Sequence, residues 1–201
     1  MTTFHLTALP GELSWVHPPL VWTADSDDQL TIQAGAETDL FIDPAGGARK
    51  DNAPSALFAS SERHFTLSAQ VQVAFAATFD AGALQVRVRD DMWAKLCFEY
   101  SPQHQPMVVS VVTRGVSDDG NSAQLAEDNV FLRITRREAV LAFHYSLDGQ
   151  RWQLVRYFTL GDAPQLHLGL SAQSPTGNGC TVFFSQIRYT ATAVADLRSG
   201  D

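Results

Sequence analysis

The sequence predicts an all-β protein built as two packed antiparallel sheets, and three observations carry this. Apolar residues recur at every second position over long stretches, the spacing that sends alternate side chains to opposite faces of a strand. About 12 to 14 such segments follow one another, separated by turns rich in Gly, Pro, Asp and Asn. No segment of helical length carries an apolar stripe at helical spacing, which leaves room for at most one short helix.

In chain order, Phe4 to Ala8 and Glu12 to Val16 read as short strands. His17-Pro18-Pro19 ends the second, because proline has no N–H to give a ladder. The polar turn Asp25-Ser26-Asp27-Asp28 leads to a strand over Gln29 to Ala34, and Asp39 to Asp43 is another. Pro44 to Pro54 reads as a polar loop, long enough to cover or line a site. Ala56 to Ala59 resumes β structure. His64 to Phe75 then alternates almost without fault: Phe65, Leu67, Ala69, Val71, Val73 and Phe75 face one way, and Thr66, Ser68, Gln70 and Gln72 the other. Such a strand has one buried and one wet face.

The central stretch, Gly82 to Gly120, reads as three strands in series. In the first, Leu84, Val86 and Val88 oppose Gln85, Arg87 and Arg89; in the second, Ala94, Leu96, Phe98 and Tyr100 oppose Trp93, Lys95, Cys97 and Glu99. The short connection Asp90-Asp91-Met92 makes these two a hairpin and brings their polar rows together. Ser117 to Asn129 is polar, with a short helix expected near Ala123 to Glu127. Val130 to Arg137 and Ala139 to Leu147 pair next, and Asp148-Gly149 is a type I′ hairpin signal before Arg151 to Thr159. His167 to Gln173 and Cys180 to Tyr189 close the sheets. Residues 1–190 are read as one domain and 191–201 as a tail that trails off.

Composition narrows the function classes. With 201 residues, 45% hydrophobic and 18% charged, the chain has material for a single large core. A net charge of −8 argues against a nucleic-acid binder, which must neutralise phosphates. The N-terminus lacks a basic segment followed by an apolar run, and no apolar run reaches the roughly 20 residues of a membrane span. Cys97 and Cys180 are too few for a disulfide framework. Together these point to a cytoplasmic protein with free thiols and no membrane partner. Its sheet edges fit a monomer or a homodimer equally.

Several blocks, in order, resemble a known family: GALQVRVRDDMWAKLCFEY, SVVTRGVSD, YSLDGQRWQLVRYF and GLSAQSPTGNGCTVFF, with TDLF at Thr38 to Phe41. That family, bacterial and fungal and of unknown function, includes the yeast regulator-of-enolase protein. The resemblance covers about Asp39 to Phe184 and implies a concanavalin-A-like lectin/glucanase jelly roll. It implies no reaction. Family members commonly have an aromatic after the Ser-Asp pair; here Ser117-Asp118 is followed by Asp119.

The polar face of the central hairpin is the candidate site. An aromatic platform with charged and amide groups that fix hydroxyl directions suits a carbohydrate or sugar derivative. Arg87, Trp93, Lys95 and Glu99 are of these types, and Arg114, His144 and Asp39 are candidates to join them. Arg87 and Arg89 would also suit an anionic small molecule. The rivals are a protein-interaction module, and a glycoside hydrolase. Hydrolysis needs two carboxyls at fixed separation, and the glucanase motif of alternating acidic residues is missing: the same-face neighbours of Glu99 are Cys97 and Ser101. Binding is therefore expected rather than catalysis. Lys95 beside Cys97 would favour a thiolate, a weaker candidate. The six histidines show no metal-ligand spacing, and neither metal nor cofactor is expected.

Overall fold

The structure, a computed structural model, describes residues 2–25 and 28–201, so Ser26 and Asp27 of the expected polar turn lie outside the described residues. It contains β1 (Thr3–Phe4), β2 (Leu13–Trp15), β3 (Val21–Ala24), β4 (Leu30–Gly35), β5 (Leu40–Ile42), β6 (Arg49–Asp51), β7 (Ser55–Ser60), β8 (His64–Ala74) and β9 (Ala81–Arg89). There follow β10 (Met92–Tyr100), β11 (Pro106–Arg114), β12 (Val116–Gln124), β13 (Asn129–Arg137), β14 (Val140–Ser146), β15 (Gln153–Thr159), β16 (Leu166–Gln173) and β17 (Gly179–Thr190). The excess over the expected number comes from short edge and hairpin pieces.

The strands form two antiparallel sheets. One runs β1-β2-β7-β16-β9-β10-β11-β12, the other β15-β14-β13-β8-β17-β4-β3, and β5-β6 is a separate two-stranded hairpin. Each sheet turns its apolar phase to the other, as alternation requires. Phe65, Leu67, Ala69 and Val71 of β8 meet Leu84 and Val86 of β9 and Ala94, Leu96 and Phe98 of β10 in one core. Burying a side chain of this size is worth about 1.5–3 kcal/mol. The jelly-roll sandwich is thus set by period-two patterning. At Gly82 the sheets come so close that a Cβ would lie 2.4 Å from Val182 and 2.7 Å from Val71.

Three local expectations are corrected. Among the described residues there is no helix: the polar segment expected to hold one contains β12, which hydrogen-bonds to β11 at the sheet edge, where both faces tolerate polar side chains. Asp148-Gly149 does not make a tight type I′ turn. Only Gly149 has positive φ, 71°, and the Asp148 carboxyl accepts from the Gln150 and Arg151 N–H groups, each at 2.8 Å, which widens the loop.

The third concerns the tail, which docks on the outer face of the second sheet. Arg137 donates to the carbonyls of Val194 and Ala195, His144 Nε2 to Leu197 O at 3.0 Å, and Arg133 Nη2 to Gly200 O at 2.6 Å. Leu197 is buried, and Arg198 lies 4.6 Å over the Tyr157 ring. Three cationic or imidazole donors on the sheet supply what a tail without strand alternation could not supply for itself. Leu197→Ala should cost about 2 kcal/mol, the lower end for buried leucine because the site is near the surface. Urea unfolding measures this; an unchanged midpoint would mean the tail contributes nothing.

Candidate functional site

Strand β10 presents Ala94, Leu96 and Phe98 to the core, so Trp93, Lys95, Cys97 and Glu99 point away from it. Lys95 pairs with Gln85 on β9 and with Val111 on β11, and Val111 pairs with Asp119 on β12. These four form a transverse row on the outer face of the first sheet. Gln85 is fully buried there, and its amide has no protein partner among the described residues.

The hairpin β5–β6 lies over this face, in the segment expected to be a polar loop. The Ile42 N–H donates to Ser117 Oγ at 2.9 Å, and Arg87 grips Asp51 with two bonds, 3.1 and 2.8 Å. Beneath it, Trp93 packs with Leu40, Ala53 and Val111 and is fully buried.

Beside the hairpin a cavity of about 150 Å³ opens on the sheet. Asp39, Lys95, Glu99, Asp119 and Gln173 form its polar lining. Phe41, Phe79, Val111 and Pro175 form the apolar part. Lys95 Nζ donates to Gln173 Oε1 at 2.6 Å and to Asp39 Oδ1 at 3.4 Å, and Gln173 Nε2 donates to Phe79 O at 3.3 Å. The rim is held by Asp80, fully buried, which accepts from the Ala76 and Ala77 N–H groups at 2.8 Å and from Ser174 Oγ at 2.6 Å. Ser174 in turn bonds Thr38, next to Asp39.

Burial dominates the electrostatics. The Lys95 ammonium sits above its ordinary value: burial acts to lower it, and the field of its neighbours, Asp39 and Glu99 among them, outweighs burial. The Glu99 carboxyl is pushed up to about 8, first by burial and then by the charges of Asp119 and Asp39, against the pull of Lys95. Among the described residues no hydrogen bond reaches it; burial and through-space charge alone act on it. The shift favours the protonated carboxyl, a form able to donate as well as accept. Burial also raises Asp119, partly offset by Lys95 and the Gly120 N–H. Burial pushes the Cys97 thiol up strongly, so it is not a thiolate, contrary to the expectation from its position beside Lys95.

The sequence-predicted residues separate into groups. Asp39, Lys95 and Glu99 line one cavity. Trp93 lies under the hairpin, and its ring is not an open platform. Arg87 is held by Asp51 and Asp90, and Arg89 by Asp91. Arg114 stands at the end of β11 and donates to Thr159 O at 2.7 Å, outside the cavity. Its phase is that of Val112, which faces the core, whereas Val111 faces the cavity; the run VVSVVT has too little polar contrast to distinguish the two. His144 belongs to the other sheet. Alternation within β10 does not reveal Asp119, Gln173 and Phe79, which β12, β16 and the turn before β9 bring in. Among the described residues no group of three side chains is arranged to hold a metal, and no helix is long and apolar enough to cross a membrane.

A family model described as "Protein of unknown function (DUF1349)" matches residues 15–192. The chain belongs to the DUF1349 family. This family member is similar to a functionally unknown protein from Saccharomyces cerevisiae, with 25% identity and a TM-score of 0.83, over 92% of this chain and 97% of that one. It is similar to the GH43 protein BlXynB from Bacillus licheniformis at 16% identity and a TM-score of 0.70, over 90% of this chain but 36% of that one. This chain thus spans about a third of the length of that glycoside hydrolase. A legume lectin-like domain from Entamoeba histolytica aligns over 89% of both chains, with 14% identity and a TM-score of 0.57. The last two likenesses show a shared fold alone. No curated protein matches significantly.

Proposed function

We propose that the cavity beside the β5–β6 hairpin binds a neutral carbohydrate or related polyol. The observation that carries this is Glu99: a buried carboxyl with no hydrogen-bond partner among the described residues, lining a cavity that also holds Lys95 and Asp39. A buried polar group without a partner costs free energy unless a ligand or water satisfies it. A sugar hydroxyl both donates and accepts, as Glu99 does when protonated. Phe79 and Phe41 supply apolar surface for the C–H face of a ring. The lectin-like and GH43 neighbours share this fold, which agrees with the reading.

The test is a thermal-shift and calorimetric screen of pentoses, hexoses and polyols. At least one should raise the unfolding midpoint saturably, and Phe79→Ala and Asp119→Asn, on the rim, should each weaken it about tenfold. If no sugar binds, or both variants bind as the wild type does, the proposal fails.

The same carboxyls support a second reading, glycoside hydrolysis with Glu99 as general acid and Asp119 or Asp39 as its partner. It requires turnover of some glycoside that Glu99→Gln abolishes; undiminished turnover in that variant excludes the role.

A further inference from the structure

The opposite side of the sandwich carries a second pocket, about 490 Å³, on the outer face of the second sheet. Its floor is one transverse row. Arg188 on β17 pairs with Ser68 on β8, and Ser68 with Arg133 on β13. Neighbouring strands lie about 4.8 Å apart, so two arginines flank a single serine in this row. Thr66 and Thr190, paired in the next row on that face, add two more hydroxyls at the lining. Trp152 closes one side, its ring centroid 4.0 Å from the Arg133 guanidinium.

Arg188 reaches this row through a defect in β17. The register shifts between Ser185 and Arg188, where Gln186 adopts a φ of 49°. The extra residue turns Ile187 into the core and Arg188 outward. Without it, the strand would have continued with Ile187 facing solvent.

Arg133 is the side chain left unbalanced. It is 5% exposed, and its Nε has no partner. It gives one hydrogen bond to a neutral carbonyl, Gly200 O, and among the described residues no carboxylate stands within ion-pair distance. Burial pulls its pKa down to about 10, partly offset by the charge of Asp201 at the end of the docked tail. Arg188 is exposed and has no ion pair or side-chain hydrogen bond among the described residues. The one carboxyl at the lining, Asp148, is already engaged by Gln150 N, Arg151 N and Ser146 Oγ. A buried guanidinium with no carboxylate in ion-pair contact is costly, and an anion supplied from outside would offset that cost.

We propose that this pocket binds an oxyanion, the phosphate or sulfate group of a small molecule, between the Arg133 and Arg188 guanidiniums and over the Ser68 hydroxyl. Forked N–H donors match the oxygen spacing of such a group, and the hydroxyl gives a third donor. The site is separate from the sugar cavity and does not depend on it.

The test is thermal unfolding of the intact chain at constant ionic strength, with chloride replaced stepwise by inorganic phosphate or sulfate. These ions also stabilise proteins by exclusion, a shift linear in concentration and common to all variants. Above that line the wild type should show a saturable rise, and Trp152 fluorescence should change with the same midpoint. Arg188→Gln, at an exposed position, and Ser68→Val should each weaken the saturable component about tenfold, whereas Glu99→Gln should leave it intact. A purely linear shift, an equal saturable shift in Arg188→Gln, or loss of the shift in Glu99→Gln would each overturn the assignment.

Discussion

Measured against a Glu99→Gln variant, the wild type should lose stability steadily as the pH rises from about 5 to about 8. The folded state holds the Glu99 proton up to about pH 8, whereas the unfolded chain releases it near the ordinary value of 4.5. Between those values the folded state binds more protons, so stability falls as the pH rises. Its contribution is fully present below the unfolded value and gone above the folded one. Each pH unit of displacement carries 1.36 kcal/mol; allowing for coupling to Lys95, the difference should reach about 3 kcal/mol. Glutamine keeps the shape and cannot ionise, so its stability should be flatter over this range.

The comparison with the variant matters because His144 works in the opposite sense. Burial, and then the Arg133 charge, lower its pKa to about 4, so its contribution is present above about 6.5 and lost as the pH falls through 4. The two windows overlap and partly cancel in the wild type, but the His144 part drops out of the difference. Urea unfolding of both proteins at successive pH values gives the curve directly. Parallel stabilities across the range would mean that Glu99 ionises normally and does not occupy the environment described.

Asp80→Ala should be the most damaging single change near the cavity, costing about 4 kcal/mol or more and abolishing ligand binding. A buried hydrogen bond to a carboxylate is worth about 1.5–3 kcal/mol, and Asp80 accepts three from Ala76, Ala77 and Ser174. Removing it leaves buried N–H donors unsatisfied and frees Ser174 from the turn that carries Pro175. It also loosens the connection that holds Phe79 at a φ of 71°, a costly conformation for a bulky residue. Asp80→Asn keeps one acceptor oxygen and should fall between the two. Denaturant unfolding with the sugar screen would check both effects; a loss below about 1 kcal/mol for the alanine variant would show that the rim does not rest on this group.

The sheets were legible because each strand carries its own evidence. In β8 and β10 the alternating phases separate core from surface residue by residue, and the hairpin β9–β10 follows from its short connection at Asp90-Asp91-Met92, of which Met92 joins the strand. That same alternation put Lys95 and Glu99 on one face. It placed Trp93 there as well, but the cover over Trp93 comes from a hairpin some 40 residues earlier, held by Ile42 and Asp51. His144 and Lys95 each stand on an outward phase, and alternation does not say to which sheet a strand belongs.

Taken by itself, the sequence determines an all-β sandwich, the outward face of β10, and an acidic chain with two cysteines. These follow from side-chain period and composition, which are local quantities. Only the tertiary structure decides that Asp39, Asp119, Gln173 and Phe79 converge on Lys95 and Glu99, that the β5–β6 hairpin seals Trp93, and that the tail crosses Arg133 and His144. Those contacts join residues far apart in the chain, and they depend on strand order and register. The Glu99 shift belongs to the same class: the sequence places this carboxyl on the outward face of β10, and the burial that raises its pKa is imposed by the fold.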